Sequence, residues 1–465
     1  VLTTIAFVFA ALFLFLLWKK QRHVFFAAFF ILFGLIYRII DVTYLDLFGP
    51  VYAIELERYV GGNGAAPAFI LSCFAFLLPL ALLLRRDRLV RDIAGRQTET
   101  TYHIIIRKAA FVGLSALILF LYVDMLRIGT IPLFSGMDRL EYSRVAGYLH
   151  GPAYEMNFLI SATIGVFAFL PRLFGKQYSL SCIGLMIALL CYWALTGNRF
   201  SPFFVTLSFF FIPYAAIVAL ESAGTIRRET TKSVWSVLIS SRVLLLLGGV
   251  AASVAIVGLL FNSYYDVRNY ADPFFHIKQR ILVQPIQIWA STWDTIRFGL
   301  TERVNWLAID QVLINPARPE GNTTIYYLME RELGFFRAEE LIDAGQQYAG
   351  GYPEIFFLLF GVLSAIPLML IFGITTVLAL YCAVRSFGQG RPLTCIMALY
   401  VFYGFSLCYI GGMLNFIIAP TFLVKFTLLW VIWAMEKYFI AREPLSVRGW
   451  PLTGRTPRPR RPSLF

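Results

Sequence analysis

One arginine, Arg199, stands between two long apolar runs in "YWALTGNRFSPFFVTLSFFF", with only Gly197, Asn198, Ser201 and Pro202 as polar company. A guanidinium is planar, stays charged and matches phosphate oxygens, so this position fits an anion held at a membrane surface. A span-end arginine can equally snorkel to the interface. A second polar group lies in "MDRLEYSRVAGYLHG", where Asp138, Glu141 and Arg144 fall three apart on one helical face, beside Arg139 and His150. A compensated surface helix gives the same pattern. A third stretch, "YYDVRNYADPFFHIKQRILVQPIQIW", carries Arg268, Lys278 and Arg280. Farther on, "NTTIYYLMERELGFF" predicts a helix capped by Thr323 or Thr324 and holding Glu330.

Three chemistries follow from these residue types. Arg199 and Arg280, with Arg139, Arg144 and Arg268 as weaker candidates, can bind a diphosphate. Asp138, Glu141, His150 or Glu330 can take a proton, and the sequence does not choose among them. The rings of Tyr264, Tyr265, Trp289, Tyr326 and Tyr327 offer flat faces to sugars, or else pack on the membrane.

These residues must be held by a membrane framework. Of 465 residues, 59% are hydrophobic and 14% charged, against roughly 45–50% and about 25% in soluble domains. Apolar runs without strand-like alternation predict an all-α polytopic protein. Eleven spans are expected, near 1–18, 24–40, 67–84, 109–126, 156–171, 178–196, 202–220, 243–261, 354–384, 392–410 and 419–436. The chain thus divides into an N-terminal bundle (1–261), a large polar segment with helices (262–353), C-terminal spans (354–440) and a basic, disordered tail (441–465).

The loops on one side of these spans hold 25 of the 40 lysines and arginines. The positive-inside rule places that side in the cytoplasm, with the N-terminus out and the C-terminus in. Arg199 and the 262–353 segment then face outward. The net charge of +13 faces anionic lipid, and its short basic loops argue against nucleic acid. Only Arg38, Asp124 and Lys425 put charge near the membrane interior, which counts against an ion-coupled transporter. All six cysteines fall in apolar runs and predict no disulfide framework. No Walker loop, dinucleotide glycine pattern, HExxH or GxSxG occurs. Asp41, Asp46, Glu55 and Glu57 in the first outer segment are not adjacent, which disfavours a metal site.

The span layout, the "GTIPLF" outer segment, the "TGNR" turn and the large late outer loop resemble bacterial oligosaccharide repeat-unit polymerases. These are the Wzy-type O-antigen and exopolysaccharide polymerases, related to the O-antigen ligases. Arg199 matches an outer-face arginine turn of that family, although Phe200 follows where members often carry a small residue. The resemblance implies a glycosyltransferase of the bacterial inner membrane without a cofactor or metal. Its donor would be a glycan on undecaprenyl diphosphate, its acceptor a lipid-linked repeat unit, and its partner a chain-length regulator. Glycan ligases and polysaccharide flippases or transporters are the competing classes.

Overall fold

The computed structural model describes residues 1–93, 98–135, 139–198, 200–225, 272–299, 303–318, 321–343, 348 and 350–442, with backbone alone at 139–141, 273 and 441–442. The first half runs α1 (Leu2–Lys20), α2 (Arg22–Phe48), β1 (Val51–Ala53), β2 (Arg58–Val60), α3 (Ala65–Leu83), α4 (Arg86–Ile93) and α5 (Thr101–Ile128). There follow α6 (Pro132–Ser135), α7 (Arg139–Val145), α8 (His150–Glu155), α9 (Asn157–Leu173), α10 (Leu180–Leu195), α11 (Phe200–Phe211) and α12 (Tyr214–Ser222). The polar segment contributes α13 (Pro273–Lys278), a π-turn (Gln279–Val283), α14 (Gln287–Arg297), α15 (Trp306–Ile309), a second π-turn (Asp310–Ile314), α16 (Thr323–Leu333) and α17 (Phe335–Asp343). The chain continues through α18 (Glu354–Gly388), α19 (Pro392–Gly411), α20 (Asn415–Ile418) and α21 (Pro420–Arg442). β1 and β2 pair antiparallel, Tyr52 opposite Tyr59.

Among the described residues, six helices (α1, α2, α3, α5, α18 and α19) are long and apolar enough to cross a membrane. α11 and α12 bend by 42° and make a seventh span if taken together. This is a polytopic, helical membrane protein. Only 11% of the most apolar window of α1 and 17% of that of α5 are buried, against 56% for α2, α3 and α19. The first two are therefore peripheral and present leucine, isoleucine and phenylalanine outward, as lipid contact requires. The expected spans at 156–171 and 178–196 form helices of 17 and 16 residues, short for a crossing. The expected span at 243–261 and the tail beyond 442 lie outside the described residues.

Helix association in lipid depends on close packing rather than on a drive away from water. Gly373 of α18 lies on the Ala75 carbonyl of α3, and Gly165 of α9 on the Phe210 carbonyl of α11. A β-carbon at either glycine would collide with backbone. Between the two pairs, Phe158 stacks on Tyr403 at 3.7 Å and 12°.

At one end of the bundle, Asp46 closes the start of α3 by accepting from the amides of Gly64, Ala65 and Ala66 at 2.9, 3.0 and 2.9 Å. The polar segment docks at this end. Trp289 Nε1 donates to the Ala65 carbonyl (3.0 Å), Tyr348 to the Glu55 carbonyl (2.6 Å) and Tyr352 to the Ser72 carbonyl (2.7 Å). At the opposite end, His23 hydrogen-bonds the Leu84 carbonyl at 2.7 Å and Arg172 pairs with Glu221 at 3.0 Å. α16 is capped by Asn322, whose Oδ1 accepts from the Ile325 amide at 3.3 Å. Neither threonine named from the sequence is the cap, since Thr323 instead donates to the Val312 carbonyl at 2.7 Å.

Candidate functional site

α2 runs eight residues beyond the expected span edge at 40, ending at Phe48. Asp41 is therefore a helical residue and not part of an outer loop. Tyr37, Arg38 and Asp41 share the last turns of α2, where the π-turn and the start of α18 meet them. Arg38 is buried and ties three segments together. Its Nε donates to the Pro285 carbonyl at 3.0 Å, one terminal nitrogen donates to the Tyr352 carbonyl, and the other pairs with Glu354 at 2.5 Å. The face of Phe69 lies 5.0 Å from the guanidinium.

Arg280 projects from the π-turn and is exposed. Tyr37 pins that turn by donating to the Ile281 carbonyl at 2.5 Å. Arg280 lies within electrostatic reach of Tyr37 and Glu55. Lys278, two residues earlier, sits 5.6 Å from the ring of Tyr44. Short π-turns often mark functional positions in helices. Burial pushes the Glu55 carboxyl up, opposed by a hydrogen bond from Gln287 and by the Arg280 charge.

Asp41 is fully enclosed, and neither carboxylate oxygen meets a donor among the described residues. Gln287 Oε1 and Glu354 Oε2 in the same seam are likewise without donors. Buried acceptors are rarely left so, and each costs about 1–3 kcal/mol. The seam thus combines unmet demand for O–H or N–H donors with an exposed guanidinium close by. A hydroxyl-bearing molecule with an anionic group answers both.

The residues named from the sequence that the structure describes are not gathered at one place. Arg199, Asp138, Arg268, Tyr264 and Tyr265 lie outside the described residues, as do the side chains of Arg139 and Glu141. Arg144 is exposed on α7. His150 is enclosed, with Nδ1 2.7 Å from the Tyr192 hydroxyl and the Tyr142 ring edge-on at 5.0 Å. Burial holds its pKa below the usual value, with Asp124 opposing. Glu330 sits beside the Arg318–Glu339 pair, and burial followed by the Glu339 charge raises its carboxyl. No described contact joins His150 or Glu330 to Arg280. Trp289 is a correction: it is fully buried between Phe69, Trp293 and Phe357 and has no face open to a sugar. Tyr326 and Tyr327 are half-buried, Tyr326 packing over Gly321.

The turn carrying Arg199 is shaped by its neighbours. Gly197 takes a left-handed φ of 71°, the Asn198 amide reaches the Trp193 carbonyl (3.1 Å), and the Gly197 amide reaches Ala194 (3.1 Å). This double closure ends α10 and accounts for the glycine. Asn157 braces the turn, donating to the Pro202 carbonyl at 3.0 Å and accepting from Trp193 Nε1 and Thr206 at 3.2 and 2.9 Å.

The sequence reading passed over Arg38, Asp41 and Glu354 as site residues. The available signal was an arginine and an aspartate one turn apart at the end of an apolar run. Among the described residues, no group of three or more histidines, cysteines or carboxylates is placed to hold a metal ion. No curated protein and no solved structure matches the chain. Residues 318–425, which include Glu354 but neither Arg38, Asp41 nor Arg280, match the model of a family of unknown function, DUF6418.

Proposed function

We propose that this chain joins oligosaccharide repeat units carried on undecaprenyl diphosphate, at the outer face of the bacterial inner membrane. The full reading has eleven spans, N-terminus out and C-terminus in, with the 262–353 segment outside and a chain-length regulator as partner. The observation that carries it is the seam of acceptors at Asp41, Gln287 and Glu354 that meet no donor among the described residues, with Arg280 in electrostatic reach of Tyr37 and Glu55 there. A glycan brings hydroxyl donors and a lipid diphosphate brings the anion.

In this reading binding opens the seam that encloses Asp41, and an acceptor hydroxyl gives its proton to that carboxylate as its oxygen bonds to the anomeric carbon. The bond from that carbon to the diphosphate oxygen breaks, and the lipid diphosphate leaves with the electron pair. Arg280, with Arg199 as a second cation, stabilises the departing charge. The test is the banding of surface polysaccharide in a deletion strain complemented with Arg280→Ala, Arg199→Ala or Asp41→Asn. Single-repeat products at normal protein abundance support a polymerase, whereas long chains from all three variants remove it.

A second reading draws on Asp41 itself. An enclosed carboxylate that meets no donor among the described residues, on a helix long enough to cross a membrane, is what a proton-coupled glycan transporter or flippase uses. Total loss of surface glycan in the deletion strain, with lipid-linked units accumulating inside, favours this reading. Ligase activity leaves long chains unattached to their final acceptor.

A further inference from the structure

At the end of the bundle opposite the polar segment, a cavity of about 380 Å³ opens between α5, the end of α9 and the start of α10. Its polar rim is cationic, with Arg107, Lys108 and Lys176, and Phe111 and Pro171 form the apolar lining. Glu99 pairs with Arg107 at 3.0 Å and with Lys176, so the acid offsets one of three charges. Lys108 is exposed and has no ion pair among the described residues. Ser179 also lines the cavity and caps the sixteen-residue α10, so the positive end of that helix adds to the field.

The surroundings identify the class of anion. Ile105 and Val112 on α5 and Leu180 and Ile187 on α10, outside the cavity but on the two helices that border it, are 60, 65, 70 and 52% exposed. A soluble anion has no use for such apolar helix faces. We infer that this cavity is a binding site for the headgroup of an anionic phospholipid, its phosphate among Lys108, Arg107 and Lys176 and its acyl chains along α5 and α10. Basic pockets between membrane helices recognise lipid headgroups by this combination. The inference is independent of the reaction proposed above, because it uses the other end of the bundle.

Native mass spectrometry of the full-length protein in detergent tests it, with dioleoyl phosphatidylglycerol, dioleoyl phosphatidylcholine and inorganic phosphate as probes. The wild type is expected to retain phosphatidylglycerol over phosphatidylcholine. Each lysine lost, in Lys108→Ala and in Lys108→Ala with Lys176→Ala, lowers that retention about fivefold. Lys19→Ala, at the same end but outside the cavity, leaves it unchanged. Lys108→Glu, which breaks no described ion pair, abolishes the preference without loss of folded protein. Equal retention by Lys108→Glu and the wild type overturns the assignment. Displacement of the lipid by millimolar inorganic phosphate overturns the lipid source in favour of a soluble anion.

Discussion

Arg38 and Glu354 stand 316 residues apart in the chain and form an ion pair of 2.5 Å with almost no exposure to solvent. Through it α2 and α18 are joined where the polar segment returns to the bundle. Removing one partner strands the other charge. Arg38→Ala or Glu354→Gln is therefore expected to cost about 3–5 kcal/mol. The double change Arg38→Met with Glu354→Leu removes the stranded charge and recovers that part of the loss, while the Pro285 and Tyr352 carbonyls stay without the Arg38 donor. Thermal unfolding in detergent checks both outcomes, and a double variant no more stable than the singles contradicts the pairing.

Asp41 should separate stability from function. Asp41→Leu removes two unmet acceptors and is expected to raise the unfolding temperature. Asp41→Asn keeps the shape but cannot take a proton, so chain extension should fall about 10²–10⁴-fold. Destabilisation by leucine shows that the carboxylate has a partner, and the proposed role is then lost. Protein abundance and polysaccharide banding are read from the same cells.

His150 makes stability depend on pH. Burial depresses its folded pKa below 6.5, so the unfolded chain binds the proton more readily. Its contribution is full above about pH 6.5 and is lost as pH falls toward the lower, folded value. Unfolding temperatures between pH 7.5 and pH 5 should decline in the wild type. The slope should flatten in His150→Phe.

Asn157 should matter for the arginine turn without touching it. Asn157→Ala leaves the Trp193 N–H and the Thr206 hydroxyl without their acceptor, at about 1–3 kcal/mol each. Gly197→Ala forces a β-carbon into a left-handed conformation, at about 1–2 kcal/mol. Both variants should lower the unfolding temperature, and both should shorten polysaccharide if the turn positions Arg199. Normal chain lengths from destabilised protein would detach the turn from the chemistry.

Much of this architecture was legible because lipid imposes a simple rule. Runs such as Leu2–Lys20 and Ala65–Leu83 have to be helices, and hydropathy finds them. The end of α2 was not legible, because Asp41, Thr43 and Asp46 lower hydropathy while the helix continues. That slip moved Asp41 out of the bundle and hid the seam. The choice between a sugar platform and packing at Trp289 was not legible for another reason. Composition cannot tell a ring packed beneath a polar segment from one displayed on it, and only the Ala65 and Phe69 contacts decide. The Arg38–Glu354 pair has no local signature, since neither residue's neighbours encode the other. Arg280 stands out in the sequence by its charge alone, and the π-turn that carries it was not legible there.

The glycine crossings bear on how the molecule could admit anything large. Gly373 on Ala75 and Gly165 on Phe210 leave no slack between α3 and α18 or between α9 and α11, so each pair travels as a welded beam. A bulky guest cannot wedge those beams apart from within. Any opening has to come elsewhere, as at the clasp of Arg38 on Pro285, Tyr352 and Glu354.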